Sequence, residues 1–132
     1  MDFGKLQKED GLRLDGVRVP LEDGAWIKVR HSRSRPVQDA RREAEKKLRR
    51  SKGYIVNKDL SELETLEVIR EALVEAGVID WGGFRRDGQD VPFSKDELRT
   101  WLGISTFEEQ VRTLCNDDSL FSLENLEAVA GN

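Results

Sequence analysis

Few residues of this 132-residue chain have the types and spacing that catalysis or metal binding requires. The only histidine is His31, and no Cys, Asp or Glu stands at metal-ligand spacing from it, so we expect no metal site. The only cysteine, Cys115, is far along the chain from His31, which argues against a Cys–His pair. Its helical spacing from Phe107 and Val111 predicts a buried small hydrophobe. Gly82-Gly83 lacks the Gly-Lys-Ser/Thr of a phosphate-binding loop. We therefore expect a protein that is not an enzyme and that holds no cofactor.

Charge is distributed unevenly along the chain, whose formal net charge is −4. Residues 28–52 hold 11 of the 22 Lys and Arg against three acids, a local balance of +8, whereas residues 53–132 balance to −10. A basic segment between acidic ones is typical of self-association, of docking to a charged partner, or of contact with nucleic acid.

The basic segment supplies the candidate binding residues, to which Trp26 is added as either a core residue or an exposed anchor for a partner. The cations are Arg41, Arg42, Lys46, Lys47, Arg49 and Arg50. They are suited to tracking phosphates, but no aromatic residue is interleaved within residues 32–53, and Arg41–Glu45 and Glu43–Lys47 have the spacing of helical ion pairs. We therefore favour a solvated or protein-docking face and do not expect nucleic acid as the partner.

The first third of the sequence predicts a small β-hairpin. Val17-Arg18-Val19 and residues 25–30 alternate apolar and polar side chains, the period of a half-buried strand, and Leu12-Arg13-Leu14 shows the same alternation. Asp15-Gly16 and Glu22-Asp23-Gly24 are turn signals between these runs. We expect an antiparallel hairpin within residues 12–31 and a loose N-terminus before it.

Helix signals dominate the remainder. Residues 36–51 are strong helix formers that end before Gly53, and Ser61-x-x-Glu64 is a capping box for a second helix with Leu63 on its apolar face and Gly77 as a positive-φ cap. Further starts are predicted at Ser94 and Thr106, and after Ser122 for a helix that carries Leu123, Leu126 and Val129. The predicted fold class is α+β: a small N-terminal antiparallel β-hairpin followed by a mainly α-helical body of four to five helices. Residues 1–33 hold the flexible N-terminus and hairpin and residues 34–132 the helical body, within one compact domain.

Between the second and third helices lies the most informative stretch. Val78-Ile79-Asp80-Trp81-Gly82-Gly83-Phe84 is followed by the turn Asp87-Gly88 and by Val91-Pro92-Phe93-Ser94. This order, after the Trp-bearing run at residues 25–30, resembles the tail assembly chaperones of siphophages, bacteriophages with long tails. The resemblance covers roughly residues 25–121.

The resemblance implies a protein of the host cell cytoplasm that binds the tape measure or tail tube protein and keeps it soluble during tail assembly. It implies no catalytic residues. Leftover apolar positions such as Leu120 and Phe121 can line a groove for the partner, and the charged segments can drive self-association. No run approaches membrane-spanning length, so we expect no membrane contact. The alternatives are a small nucleic-acid-binding regulator that uses helix 36–52, and a structural tail or connector protein of the virion.

Overall fold

In a computed structural model, which describes residues 1–125, the chain is a mixture of α-helices and short antiparallel strands. The helices are α1 (Phe3–Asp15), α2 (Arg35–Lys52), α3 (Glu62–Ala72), α4 (Lys95–Leu102) and α5 (Ser105–Asn116). The strands are β1 (Val17–Pro20), β2 (Trp26–Val29), β3 (Val78–Gly82), β4 (Arg85–Arg86) and β5 (Gln89–Asp90). The last predicted helix, with Leu126 and Val129, extends outside the described residues.

The N-terminus differs from expectation, because residues that we predicted to be loose form helix α1. Asp2 caps this helix by accepting a hydrogen bond from the backbone N–H of Lys5 at 2.9 Å. The predicted strand at Leu12–Leu14 is wrong, since these residues form the last turn of α1 before Gly16. The three-residue alternation there is too short to distinguish a strand from one face of a helix.

The predicted hairpin is confirmed as β1 and β2, but it is only part of the sheet. β3 pairs antiparallel with the other edge of β2, so that the sheet has the order β1-β2-β3. In this register Ile27 lies opposite Trp81 and Trp26 lies opposite Gly82. The segments 1–33 and 34–132 therefore share one sheet, and the stretch at residues 78–82 is a strand rather than only a connector.

The core lies between one face of this sheet and the helices. Ile27 and Val29 are fully buried on β2, and Trp81 on β3 is 4% exposed. Trp81 stacks on Phe84 with ring centroids 4.2 Å apart, and its indole N–H donates to the carbonyl of Val91 at 2.8 Å. Around this pair pack Trp101 of α4, Phe107 of α5, and Phe93. The short β4–β5 hairpin turns at Asp87-Gly88, both with positive φ, as the sequence predicted.

The helix boundaries are mostly as predicted. Gly53 ends α2 in the left-handed conformation, and Ser61 and Glu64 form the predicted capping box of α3. Ser94 caps α4, but α5 begins at Ser105 rather than from a cap at Thr106.

Two details of α3 differ from expectation. Leu63 is 74% exposed rather than part of the core, because the buried face of α3 is formed by residues such as Val68 and Ala72. Gly77 does not adopt positive φ, since α3 widens into a π-helical turn at Leu73–Gly77 that leads directly into β3.

Gly82 provides a test of the sheet register. A Cβ on Gly82 would lie 2.2 Å from Nε1 of Trp26, so Gly82→Ala must displace the indole. We expect a loss of about 1–3 kcal/mol in the free energy of unfolding, measured by chemical denaturation.

Gly11→Ala is the matched control, because a Cβ at this position in α1 meets no atom within 4 Å. It should raise stability by about 0.5–1 kcal/mol. The cost of Gly82→Ala should fall when Trp26 is also replaced by Ala; an unchanged cost in that background would contradict the clash.

Candidate docking surfaces

The predicted cations of α2 lie on two rows of the helix rather than on one face. Arg42, Lys46 and Arg50 follow one another at i, i+4 and i+8, with Lys47 beside them, because α2 is helical throughout residues 35–52. Arg41 and Arg49 form a second row, at i and i+8, which also contains Glu45. The structure therefore divides the six candidates into two groups.

Some of these cations are already engaged. Arg49 is held by Glu45, 3.5 Å from its Nε, and by the carbonyl of Lys58, to which it donates at 2.6 Å. Arg42 pairs with Asp39 at 3.1 Å. Within residues 1–125, the other four candidates, Arg41, Lys46, Lys47 and Arg50, have no carboxylate within ion-pair distance. These four are the cations that α2 offers to a partner.

A groove of about 1030 Å³ runs between α2 and α3 beside these cations. Its floor is apolar and is lined by Ala40, Ala44, Leu48 and Val68. Small side chains on α2 let the two helices approach closely and leave an open channel above them. Lys47 is the one member of the predicted set that lines this groove.

The opposite wall of the groove is mainly acidic, and two of its glutamates form ion pairs with cations of α4. Glu71 and Glu75 receive Arg99 at 2.8 and 3.4 Å, and Lys95 donates to Glu75 at 2.9 Å. The hydrogen bond from Lys95 is the main cause that lowers the pKa of Glu75, and the charges of Arg99 and Lys47 lower it further. The lining is therefore mixed in charge, with apolar side chains between the two walls. The α2 wall carries Lys47 together with Asp39 and Glu43, and the other wall carries Arg70 together with Glu67, Glu71 and Glu75.

Trp26 lies on the outer face of the sheet and is half-buried, so the alternative of a core residue is wrong. The guanidinium of Arg18 covers its ring at 3.6 Å from the centroid, and Gly82 gives it room on the neighbouring strand. The lining of the α2–α3 groove comes from those helices and the π-helical turn. Trp26 is therefore not part of the surface to which the α2 cations belong.

A second exposed apolar surface lies on α1, which the sequence analysis did not predict. Phe3, Leu6 and Leu14 are 78%, 48% and 46% exposed and lie within one arc of the helix. The rest of α1 is held to the body by contacts that include Lys5–Glu124 at 2.6 Å and Arg13–Asp118 at 3.4 Å. We call the three apolar residues the α1 stripe. Phe121, which we expected to line a groove, is instead buried in the core with 1% exposure.

The side chains of His31 and Arg30 make hydrogen bonds that hold distant segments of the chain together. His31 is fully buried: its Nδ1 accepts from the N–H of Arg33 at 3.0 Å, so its Nε2–H donates to Asp118 at 2.6 Å. Arg30 donates to the carbonyl of Leu14 at 2.8 Å and to that of Ala76 at 3.0 Å, which satisfies two helical carboxyl ends. No sequence signal links His31 to Asp118, or Arg30 to Leu14 and Ala76, because these partners lie 16 to 87 residues apart.

Cys115 is buried as predicted, and burial raises the pKa of its thiol to about 12. The thiol is therefore protonated at neutral pH and is a poor nucleophile. In the part of the chain that the structure describes, no three side chains of His, Cys, Asp or Glu converge as metal ligands. No helix within residues 1–125 has the length and apolarity needed to cross a bilayer.

The helices and the small antiparallel sheet thus form a mixed α/β fold. It has two candidate surfaces for binding a protein, the α2–α3 groove and the α1 stripe. No known protein family, no curated protein and no solved structure gives a significant match to the chain.

Glu64 fixes the loop that closes one end of the α2–α3 pair. Its carboxylate accepts from the N–H of Ser61 at 2.9 Å and from the hydroxyl of Tyr54 at 2.7 Å, and Lys52 lies at 2.9 Å. These contacts, the Ser61 backbone hydrogen bond first among them, lower the pKa of Glu64 to about 2.

We predict that Glu64 stabilises the fold only while it is ionised. Since its pKa is lowered on folding, its contribution is complete above pH 4.5, the ordinary value, and is lost as the pH falls to about 2. Glu64→Gln should lower the thermal midpoint at pH 7, and this deficit should shrink progressively between pH 4.5 and 2. Thermal melts across this range measure it, with Glu109→Gln as control at an exposed position of α5 that has no ion pair within residues 1–125. A deficit that stays constant down to pH 2 would contradict the assignment.

Proposed function

We propose that this protein is a tail assembly chaperone of a long-tailed bacteriophage. It binds the tape measure protein, the tail tube protein or both in the host cytoplasm, and it keeps them soluble until the tail is assembled. The observation that carries the proposal is the α2–α3 groove, which has an apolar floor between two charged walls, with Lys47 on α2 facing Glu71 and Glu75 on the other side. Such a channel suits an extended or helical protein segment better than a small molecule.

The groove matches the recognition of an amphipathic helix. A helix presents apolar side chains at i, i+3, i+4 and i+7, and these fit a floor formed by Ala40, Ala44 and Leu48. Charged residues on either side of that apolar face would meet Lys47 on one wall and Glu71 on the other. A long helical partner supplies this pattern repeatedly, which supports a chaperone for such a protein.

The α1 stripe supports the same function. A chaperone needs apolar surface that is accessible before its partner arrives, and Phe3, Leu6 and Leu14 provide it on a helix that is fastened along its other side.

The aromatic residues behind the family resemblance lie in or against the core. Trp81 and Phe84 are buried, and Phe93 packs at the edge of Trp81. If the resemblance reflects common ancestry, these residues specify a shared fold, and the partner surface is free to differ among members.

A nucleic-acid-binding regulator is the second candidate, and the observation that favours it is the row of α2 that contains Lys46 and Arg50, both exposed and without an ion pair among residues 1–125. A structural protein of the virion is the third. The first discriminating experiment is affinity capture of the tagged protein from phage-infected cells, with and without nuclease, with the bound proteins identified by mass spectrometry.

Nuclease-resistant capture of the tape measure or tail tube protein would support the chaperone. Nuclease-sensitive recovery dominated by nucleic-acid-binding proteins would favour the regulator, and a stoichiometric presence in purified virions would favour the structural protein. Either of the last two outcomes would overturn the proposal.

Charge reversal on α2 tests the docking surface with purified components. Lys47→Glu, in the groove itself, combined with Lys46→Glu at the adjacent position should weaken binding of the captured tail protein at least about tenfold, since favourable charges at and beside the groove become repulsive. The control pair Lys8→Glu and Arg85→Glu makes the same change in net charge at exposed positions on α1 and β4. Isothermal titration measures both, and circular dichroism checks that each variant is folded. Equal affinities for the two pairs would exclude α2 as the docking surface.

A further inference from the structure

A cleft of about 610 Å³ lies between α1 and the first turns of α2, apart from the α2–α3 groove. Four guanidinium groups and two carboxylates line it: Arg13, Arg33, Arg35 and Arg42, with Asp10 and Asp39. Asp39 serves two of the arginines, at 3.1 Å from Arg42 and 3.8 Å from Arg35. Arg33 is exposed and has no ion pair within residues 1–125. Positive charge therefore exceeds negative charge at this cleft.

Ser34 lies at the buried base of the cleft and is the N-cap residue of α2. Ser34 is 7% exposed, and its hydroxyl is buried with no hydrogen-bond partner within residues 1–125. An N-cap serine ordinarily accepts a hydrogen bond from the first helical turn, but Ser34 does not. Its own backbone N–H is satisfied by the carbonyl of His31 at 3.0 Å. The hydroxyl is thus a buried polar group whose cost is not offset within the protein.

The start of α2 adds a further positive contribution. This 18-residue helix has no acidic residue in its first turn, so the positive end of its dipole is not balanced there. Pro36 removes one N–H from that turn, and the N–H groups of Arg35 and Val37 receive no side-chain cap. Ser34 and four arginines therefore line one cleft beside the uncapped start of α2.

We propose that this cleft binds a phosphate group. Arginine is suited to it because the planar guanidinium donates two parallel hydrogen bonds to a phosphate, and an uncapped helix start donates backbone N–H groups to the same anion. The Ser34 hydroxyl then gains the partner that it lacks. An anion also offsets the arginine charge that is left after Asp10, Asp39 and Asp118, the last paired with Arg13, are counted. The site is separate from the surface proposed for the protein partner, and its test does not depend on that partner.

The probe is inorganic phosphate, added to ¹⁵N-labelled protein at pH 7.5 with the ionic strength held constant by sodium chloride. We expect saturable shifts of the backbone amide signals of Ser34, Arg35 and Val37. Arg33→Gln should weaken binding about tenfold, since a hydrogen bond to a charged group is lost. Arg85→Gln on β4 is the matched control and should leave the affinity unchanged.

Ser34→Ala separates binding from folding. Because its hydroxyl is buried without a partner, removing it should leave the thermal midpoint in phosphate-free buffer equal to or above that of the wild type. The same substitution should reduce the rise in midpoint that phosphate causes in the wild type. Shifts that stay linear with phosphate concentration, or equal affinities for wild type, Ser34→Ala and Arg33→Gln, would overturn the proposal.

Discussion

The pairing of β3 with β2 is the constraint on which the rest of this fold depends. It joins residues about fifty positions apart and carries the chain from the end of the α2–α3 hairpin back to the sheet. Ile27 and Trp81, paired in this register, bring the two halves of the core into contact. A shift of one residue would turn Trp81 to solvent, because side chains alternate between the faces of a strand. Gly82 also favours the observed register. A side chain at this position, opposite Trp26, would collide with the indole, so the register places glycine there.

The aromatic cluster around Trp81 connects the sheet to helices α4 and α5. Trp81 and Phe84 are stacked, and Trp101 and Phe107 pack on them from α4 and α5. Aromatic pairs of this kind bury much area with few rotatable bonds, so short helices are oriented at low entropic cost. Arg70 then fastens α3 to α5 through the buried Glu108, at 2.7 and 2.8 Å. The helices are thereby positioned by the aromatic cluster beside the sheet and by the Arg70–Glu108 ion pair between α3 and α5.

The fold divides the cations of the chain into those that hold the structure together and those that remain available on the surface. Arg30, Arg49 and Arg70 hold helix ends or carboxylates inside the structure. Lys46 and Arg50 remain free of ion pairs on the described surface, and Arg33 faces the cleft at the start of α2. A single basic segment therefore serves folding, the proposed docking surface and the proposed phosphate site. Counting charges along the sequence does not separate these uses, because each depends on which partner lies across space.

The sequence by itself determined the local features. The limits of α2, the capping box of Ser61 and Glu64, the β1–β2 hairpin and the Asp87-Gly88 turn all follow from residues within a few positions of one another. Such features are readable because backbone hydrogen bonds and left-handed turns impose strict local requirements. The candidate cations were predicted as a set, but not their division into engaged and free residues.

The tertiary structure alone decided everything that needs distant partners. It decided that residues 78–82 are the third strand, that the N-terminal residues form a helix with an exposed apolar stripe, and that His31 is buried against Asp118. It also created the α2–α3 groove and the arginine-lined cleft, both of which exist only between elements. Burial and pairing across long loops are set by the packing of the whole chain, and no local pattern encodes them.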